Sequence, residues 1–213
     1  MTCNGAPMRF ANLIFGLLVV VTVWPLSPGQ TQRRKPTHRQ TSFGPETPIE
    51  KPVPLPKVVL EKLVSENRKR LQDCLATDKK GEDYLPTYFS ASVFDVNNDG
   101  RLDLIIQSGE HYCLEGAHSM PFWIFIRTDR GGAPSYKRVL SAGSQFFTVL
   151  HTSTNGYRDI LAEYPARVIY GAIWKFNGVK YQPRLCTEEN PDTHRKVRVR
   201  CGEVGATSEA SPF

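Results

Sequence analysis

The sequence predicts a mainly β (α+β) fold, with antiparallel sheets from two blade-like units and one amphipathic N-terminal helix ahead of them. Three observations predict it. Short β-prone runs separated by turn residues fill residues 88–184. Two stretches within that region align on each other at an offset of 56 residues. Residues 57–75 place apolar side chains at helical spacing. A chain of 213 residues, 40% hydrophobic and 10% aromatic, can form one such domain plus appendages.

The appendages come first. Arg9 precedes FANLIFGLLVVVTVW at 10–24, the one long apolar run. Fifteen residues fall short of the roughly 20 that span a bilayer but suit a signal-peptide core. Ser27 and Gly29 are the small residues of a cut before Gln30. Residues 1–29 are therefore a signal peptide or an uncleaved signal anchor. The body is then secreted or periplasmic, or held outside the membrane by residues 10–24. Residues 30–56 form a proline-rich linker. Eight of the 16 prolines fall in 25–56, few apolar residues lie between them, and an extended tether is expected. Its cluster Arg33, Arg34, Lys35 and Arg39 is either a solvated face or a contact for anionic surfaces.

The folded body is placed at 57–186 and a polar tail at 187–213. In the segment 57–75, Leu60, Leu63, Val64, Leu71, Cys74 and Leu75 share one helical stripe. Glu66 and Arg70 make an i, i+4 pair in the favoured order. Strands are expected near 88–94, 102–107, 122–128, 136–140, 145–150, 158–163, 168–176 and 179–184. Asn177-Gly178 between the last two is a hairpin signal.

The repeat divides the body into units at 88–140 and 145–184. FDVNNDGRLDLII (94–106) aligns with LHTSTNGYRDILA (150–162), so Gly100 meets Gly156 and Asp103 meets Asp159. Each unit reads as loop, strand, connection, aromatic strand, turn and strand, the pattern of a propeller blade. Two blades cannot close a ring, which leaves the N-terminal helix to cover an open face.

The most specific feature is Asp95-Val-Asn97-Asn-Asp99-Gly100-Arg101-Leu-Asp103. Calcium takes six to eight hard oxygens, and alternate residues of a tight loop can supply them. Asp95, Asn97 and Asp99 occupy loop positions 1, 3 and 5. Arg101 offers its carbonyl at position 7, and Asp103 closes the set. An EF-hand would need Glu where Ile106 stands and a helix where LDLIIQ reads as strand. The expected cofactor is therefore Ca2+ in a β-hairpin loop. The other reading is an Asx-rich turn that binds nothing.

On these residues the run 94–106 resembles an FG-GAP/VCBS-type repeat, the calcium-loop unit of integrin-like β-propellers and of many bacterial exported proteins. The resemblance implies calcium ligation by Asp95, Asn97, Asp99, the Arg101 carbonyl and Asp103 beside a blade strand. The second unit departs from the pattern, with His151, Ser153 and Asn155 where the first has Asp95, Asn97 and Asp99.

Removal of the leader leaves Cys74, Cys113, Cys186 and Cys201, an even count that suits two disulfides in an exported chain. Three pairings are open. A bond from Cys74 to a β-region cysteine, tying helix to sheet, is favoured; among specific pairings the choice is Cys113–Cys186 with Cys74–Cys201. His111, Cys113 and His118 lack a fourth ligand at zinc spacing, so a disulfide beside surface histidines is the simpler reading. They sit in the connection 108–121, a long loop of the kind that carries recognition, and an unknown protein or glycan is the expected partner there. Phe122 to Ile126 read as a strand buried on both faces.

No G-x-S-x-G, H-E-x-x-H, P-loop or dinucleotide motif is present in the sequence. The net charge of +6 divides as +1 over 1–29, +3 over 30–56, +3 over 57–186 and −1 over 187–213. That spread argues against nucleic acid as partner. The expectation is an exported, non-catalytic calcium-binding module. An exported hydrolase with a structural calcium, or a subunit needing partners at its sheet edges, is the alternative.

Overall fold

The computed structural model describes residues 40–109, 112–116, 119–129 and 132–202. The leader 1–29, the first part of the linker, His111, His118 and the last eleven residues lie outside the described residues. A short strand, β1 (Ser42–Phe43), opens the fold. Helices α1 (Lys57–Glu66) and α2 (Arg68–Asp78) follow, then a 3₁₀ segment, Glu82–Tyr88. The strands β2 (Phe89–Phe94), β3 (Asp103–Ser108), β4 (Met120–Arg127) and β5 (Tyr136–Ser144) form one antiparallel sheet in sequential order. The strands β6 (Phe146–Thr154), β7 (Tyr157–Pro165), β8 (Ile169–Phe176), β9 (Tyr181–Glu189) and β10 (Lys196–Val199) form a second. Its order is β1-β6-β7-β8-β9-β10. The segment 88–140 runs from β2 into β5, and 145–184 from β6 into β9. Both are meanders.

Two apolar cores result, and β3 and β4 serve both. Ile105, Phe122, Ile124 and Ile126 face the second sheet, where they join a core with Phe147, Val149, Ile160 and Ala162. The alternate residues Leu104, Ile106, Trp123 and Phe125 cluster with Val59, Leu63, Leu71 and Cys74 of the helices. Side chains alternate faces along a strand, so a continuous apolar run is the mark of a strand covered on both sides. The helices thus cover the face of the first sheet that the second leaves open.

Several sequence expectations are corrected here. The single helix 57–75 is two helices. They break at Asn67, whose φ of −108° and ψ of 16° leave the helical region and whose Nδ2 donates to the Leu63 carbonyl (2.8 Å). Such local side chain–backbone bonds compete with helix propagation. The linker is not wholly a tether. Phe43 and Ile49 are buried, and Phe43 stacks on Phe147 with ring centroids 4.8 Å apart. The amide of Val53 donates to the Ala91 carbonyl along the edge of β2 (2.8 Å). The polar segment 187–213, expected to fray beyond Cys201, is structured as far as 202, because β9 continues to Glu189 and β10 folds back on it.

The disulfides are Cys74–Cys113, which ties the helix to the β region as expected, and Cys186–Cys201; the specific pairs Cys113–Cys186 and Cys74–Cys201 are not formed. Topology decides the pairing. Cys186 registers opposite Val199 in the β9–β10 hairpin, which brings Cys201 to it. The 3₁₀ turn Tyr112–Leu114 lies against α2, where Arg70 Nη2 also donates to the Leu114 carbonyl (2.8 Å). Two disulfides fit an oxidising extracellular or periplasmic setting. Among the described residues no helix is long and apolar enough to cross a membrane.

The ring of Phe147 lies between those of Phe43 (4.8 Å) and Phe122 (4.2 Å), so one side chain joins β1, β4 and β6. Phe147→Ala is expected to cost about 3–5 kcal/mol, as for other buried aromatic truncations. Urea unfolding measures this, and a loss below about 1 kcal/mol would contradict the burial described.

Candidate metal centre

The turn between β2 and β3 is organised by its own carboxylates. Asn98 (φ 56°) and Gly100 (φ 84°) take left-handed conformations that fold the eight residues back on themselves. Asp95 then accepts from the amides of Asp99 (3.1 Å) and Gly100 (3.0 Å) through its two oxygens. The Asp99 amide also donates to Asn97 Oδ1 (3.2 Å), so one N–H draws the oxygens of Asp95 and Asn97 together. Asp99 Oδ1 accepts the Arg101 amide (2.8 Å), and its Oδ2 accepts Asn97 Nδ2 (2.9 Å). Arg101 Nε donates to the same Oδ2 (3.0 Å). That side-chain bond holds the Asp99 carboxyl down at about 2.

Asp103 stands apart. It is 0% exposed, and each of its oxygens accepts a backbone amide. Val96 donates to Oδ2 (2.9 Å) and Arg127, at the end of β4, donates to Oδ1 (2.8 Å). Burial pushes its carboxyl up to about 6 against the pull of those amides, with the charges of Asp99 and Asp95 adding to the rise. The Val96 carbonyl accepts the Arg158 amide from β7 (2.8 Å), so the turn is also tied to the second sheet.

Residues that the spacing did not reveal complete the site. Arg127 holds Asp129 through Nε (2.8 Å) and Nη2 (3.0 Å), and that side-chain pairing brings the Asp129 carboxyl down to about 2. The guanidinium of Arg101 reaches the Asp129 carbonyl. The β2–β3 turn and the β4–β5 loop are thereby joined. A single sequence carries no periodic signal for such long-range pairs; only the acid at 129 hints at them.

The donor set suits calcium by its chemistry: two carboxylates, an amide oxygen and a carbonyl on one short turn, with a third carboxylate at its foot. As arranged, the Arg101 guanidinium sits on Asp99, and the two oxygens of Asp103 face amides. Among the described residues no group of three or more His, Cys, Asp or Glu is set to hold a metal ion. A calcium ion on Asp99 would have to replace the guanidinium there.

The second segment has no such turn. His151 and Ser153 lie within β6, and β6 passes to β7 through Asn155 (φ 53°) and Gly156 (φ 81°) alone. Asp159 is nonetheless buried, 2% exposed, like its aligned partner Asp103. Its Oδ2 accepts Thr152 Oγ1 (2.9 Å) and lies 3.6 Å from Lys175 Nζ.

The connection 108–121 is pinned to the helical layer. Cys113 is bonded to Cys74, Leu114 is buried, and Ser108 Oγ donates to Glu115 Oε1 (2.8 Å).

No family model, curated protein or solved structure matches this chain.

Asp103 yields a pH prediction. Its folded pKa is above the ordinary value of 3.8, so the folded state keeps the proton to higher pH than the unfolded chain does. Its contribution to stability is therefore full below about pH 4 and is lost as pH rises through about 6. Without added metal ion, urea unfolding from pH 4 to 6.5 is expected to show this fall, and Asp103→Asn to lack it. Parallel curves for parent and variant would refute the assignment.

Proposed function

We propose that this chain is an exported, non-catalytic calcium-binding β module, with one Ca2+ held at the β2–β3 turn. Asp95, Asn97, Asp99 and the Arg101 carbonyl would hold the ion, with Asp103 closing the set. The ion supplies positive charge to carboxylates that otherwise repel one another. In this reading the β2–β5 meander is a blade of the FG-GAP/VCBS type, as the run 94–106 resembles. The observation that carries it is the meeting of the Asp95 and Asn97 oxygens on the amide of Asp99, the third donor of the series.

A structural role follows from position. The turn is joined to β4 through Asp103 and to β7 through Val96. An ion that fixes the turn therefore fixes the contact between the two sheets. Binding is then left to the surface, and the pinned connection 108–121 is the place proposed for a protein or glycan partner. The two disulfides support the exported setting, and any membrane attachment would rest on residues 10–24.

Calcium at 100 times its dissociation constant is expected to add about 2.7 kcal/mol to stability, several degrees in a domain of this size. Asp99→Asn, which keeps much of the turn's hydrogen bonding, is expected to lose most of that gain. Thermal unfolding with calcium and with chelator measures both. Identical curves for the parent protein in the two conditions would overturn the proposal.

A further inference from the structure

We propose that the outer face of β8, β9 and β10 is a docking surface for an acidic polysaccharide. It lies in the second sheet and does not depend on the calcium reading.

The register shows which face this is. Ala162, Ala172, Cys186 and Val199 form one row across β7 to β10, and Ala162 belongs to the core between the sheets. The adjoining row, Glu163, Gly171, Thr187 and Arg198, therefore points to the opposite side. Lys196, Arg198 and Arg200 alternate with Val197 and Val199, so β10 presents its cations to that side.

Two adjoining open grooves run along β9 and β10 and share Arg184 and Arg198. Lys175 lines one and Arg200 the other. The arginines have purpose-built supports. Trp174 pairs with Pro183 and Ile173 with Leu185, so Arg184 is the extra residue of a bulge in β9. Bulges re-aim side chains. The Cys186–Cys201 bond closes the β9–β10 hairpin beside Arg200 and holds β10 in place.

The charge there is not balanced. Lys175 has Asp159, and Lys196 has Glu189 at 3.4 Å, which also takes His194. Arg184 makes only a neutral hydrogen bond, to Gln182 Oε1 (3.2 Å), and among the described residues neither Arg198 nor Arg200 forms an ion pair. Among the described residues, three exposed guanidiniums thus share the grooves without an ion pair. Their planar forks suit the carboxylates and sulfate esters of acidic sugars.

The lining selects among polyanions. Among the described residues, Phe176 is the only aromatic residue lining the grooves, and it is buried, so these residues offer bases no ring to stack on. The aliphatic lining, Leu185 and Val199, is half-buried and offers no deep pocket for peptide anchors. Thr154, Asn155 and Asn177 add hydroxyl and amide groups of the kind that meet sugar hydroxyls.

The test uses the full chain on immobilised heparin. The parent is expected to bind, and the triple variant Arg184→Gln, Arg198→Gln, Arg200→Gln to bind about tenfold more weakly. A control of equal net charge, Lys62→Gln, Arg68→Gln, Lys69→Gln, alters exposed helix residues and is expected to stay within about twofold of the parent. Both variants change exposed side chains, and matching thermal unfolding curves verify that the fold is kept. Polygalacturonate is expected to displace the parent at concentrations about tenfold lower than polyglutamate or single-stranded DNA. Equal losses in the two variants, or polyglutamate or DNA competing as well as polygalacturonate, would overturn the proposal.

Discussion

The carboxylate of Asp103 is the constraint on which the two-sheet arrangement turns. It is fully buried, and it answers two amides from separate parts of the chain, Val96 in the turn and Arg127 at the end of β4. Removing an ionised carboxylate from water is costly, which is why its proton is held to about pH 6. The two amide bonds offset part of that cost, since buried N–H groups also need partners. Val96 continues the chain of bonds by accepting the Arg158 amide of β7. One acid therefore sets the exit of the turn, the end of β4 and the approach of the second sheet.

The strands were legible where the sequence carries a local signal. The apolar run Phe122 to Ile126 becomes β4, with one set of alternate residues facing each core. Asn177-Gly178 lies between β8 and β9, with Gly178 at φ 98°. Elements made by tertiary contact were not legible. β1 has two residues and exists because Phe43 stacks on Phe147. β10 alternates charge with valine over only four mostly exposed residues, and its hairpin with β9 is closed by Cys186–Cys201. The partner of Cys186 was missed for the same reason, because it depends on the β9–β10 hairpin.

In the candidate metal centre, spacing alone identified Asp95, Asn97 and Asp99 as residues of one turn, and the structure places them there. Spacing did not show that Asp103, unlike them, is fully buried with both oxygens on backbone amides. Nor did it foresee that the side chain of Arg101, assigned only a carbonyl role, rests on Asp99. Side-chain direction at a turn depends on φ, and φ at Asn98 and Gly100 is known only once the chain is folded. The aligned segment makes the same point by contrast. Its buried acid, Asp159, has a threonine hydroxyl and an ammonium for partners and a two-residue turn beside it. Sequence alignment found the acid in both places but could not report that the loops differ in length.

The disulfides lie outside the core between the sheets, although Cys74 belongs to the core under the helices. One joins α2 to the 112–114 turn, and the other joins β10 to β9. The inter-sheet core contains neither bond. A crosslink stabilises mostly by restricting the unfolded chain, about 3 kcal/mol for a loop of some 15 residues, so its location need not follow that of the apolar contacts. Here the location follows the elements with least core of their own. Most of β10 is solvent-exposed, with only Val199 half-buried, yet it carries Arg198 at the groove and leads directly to Arg200. A strand so thinly packed would fray without a covalent tie. Reduction of that bond would thus leave the aromatic core between the sheets intact while releasing the strand that gathers the arginines.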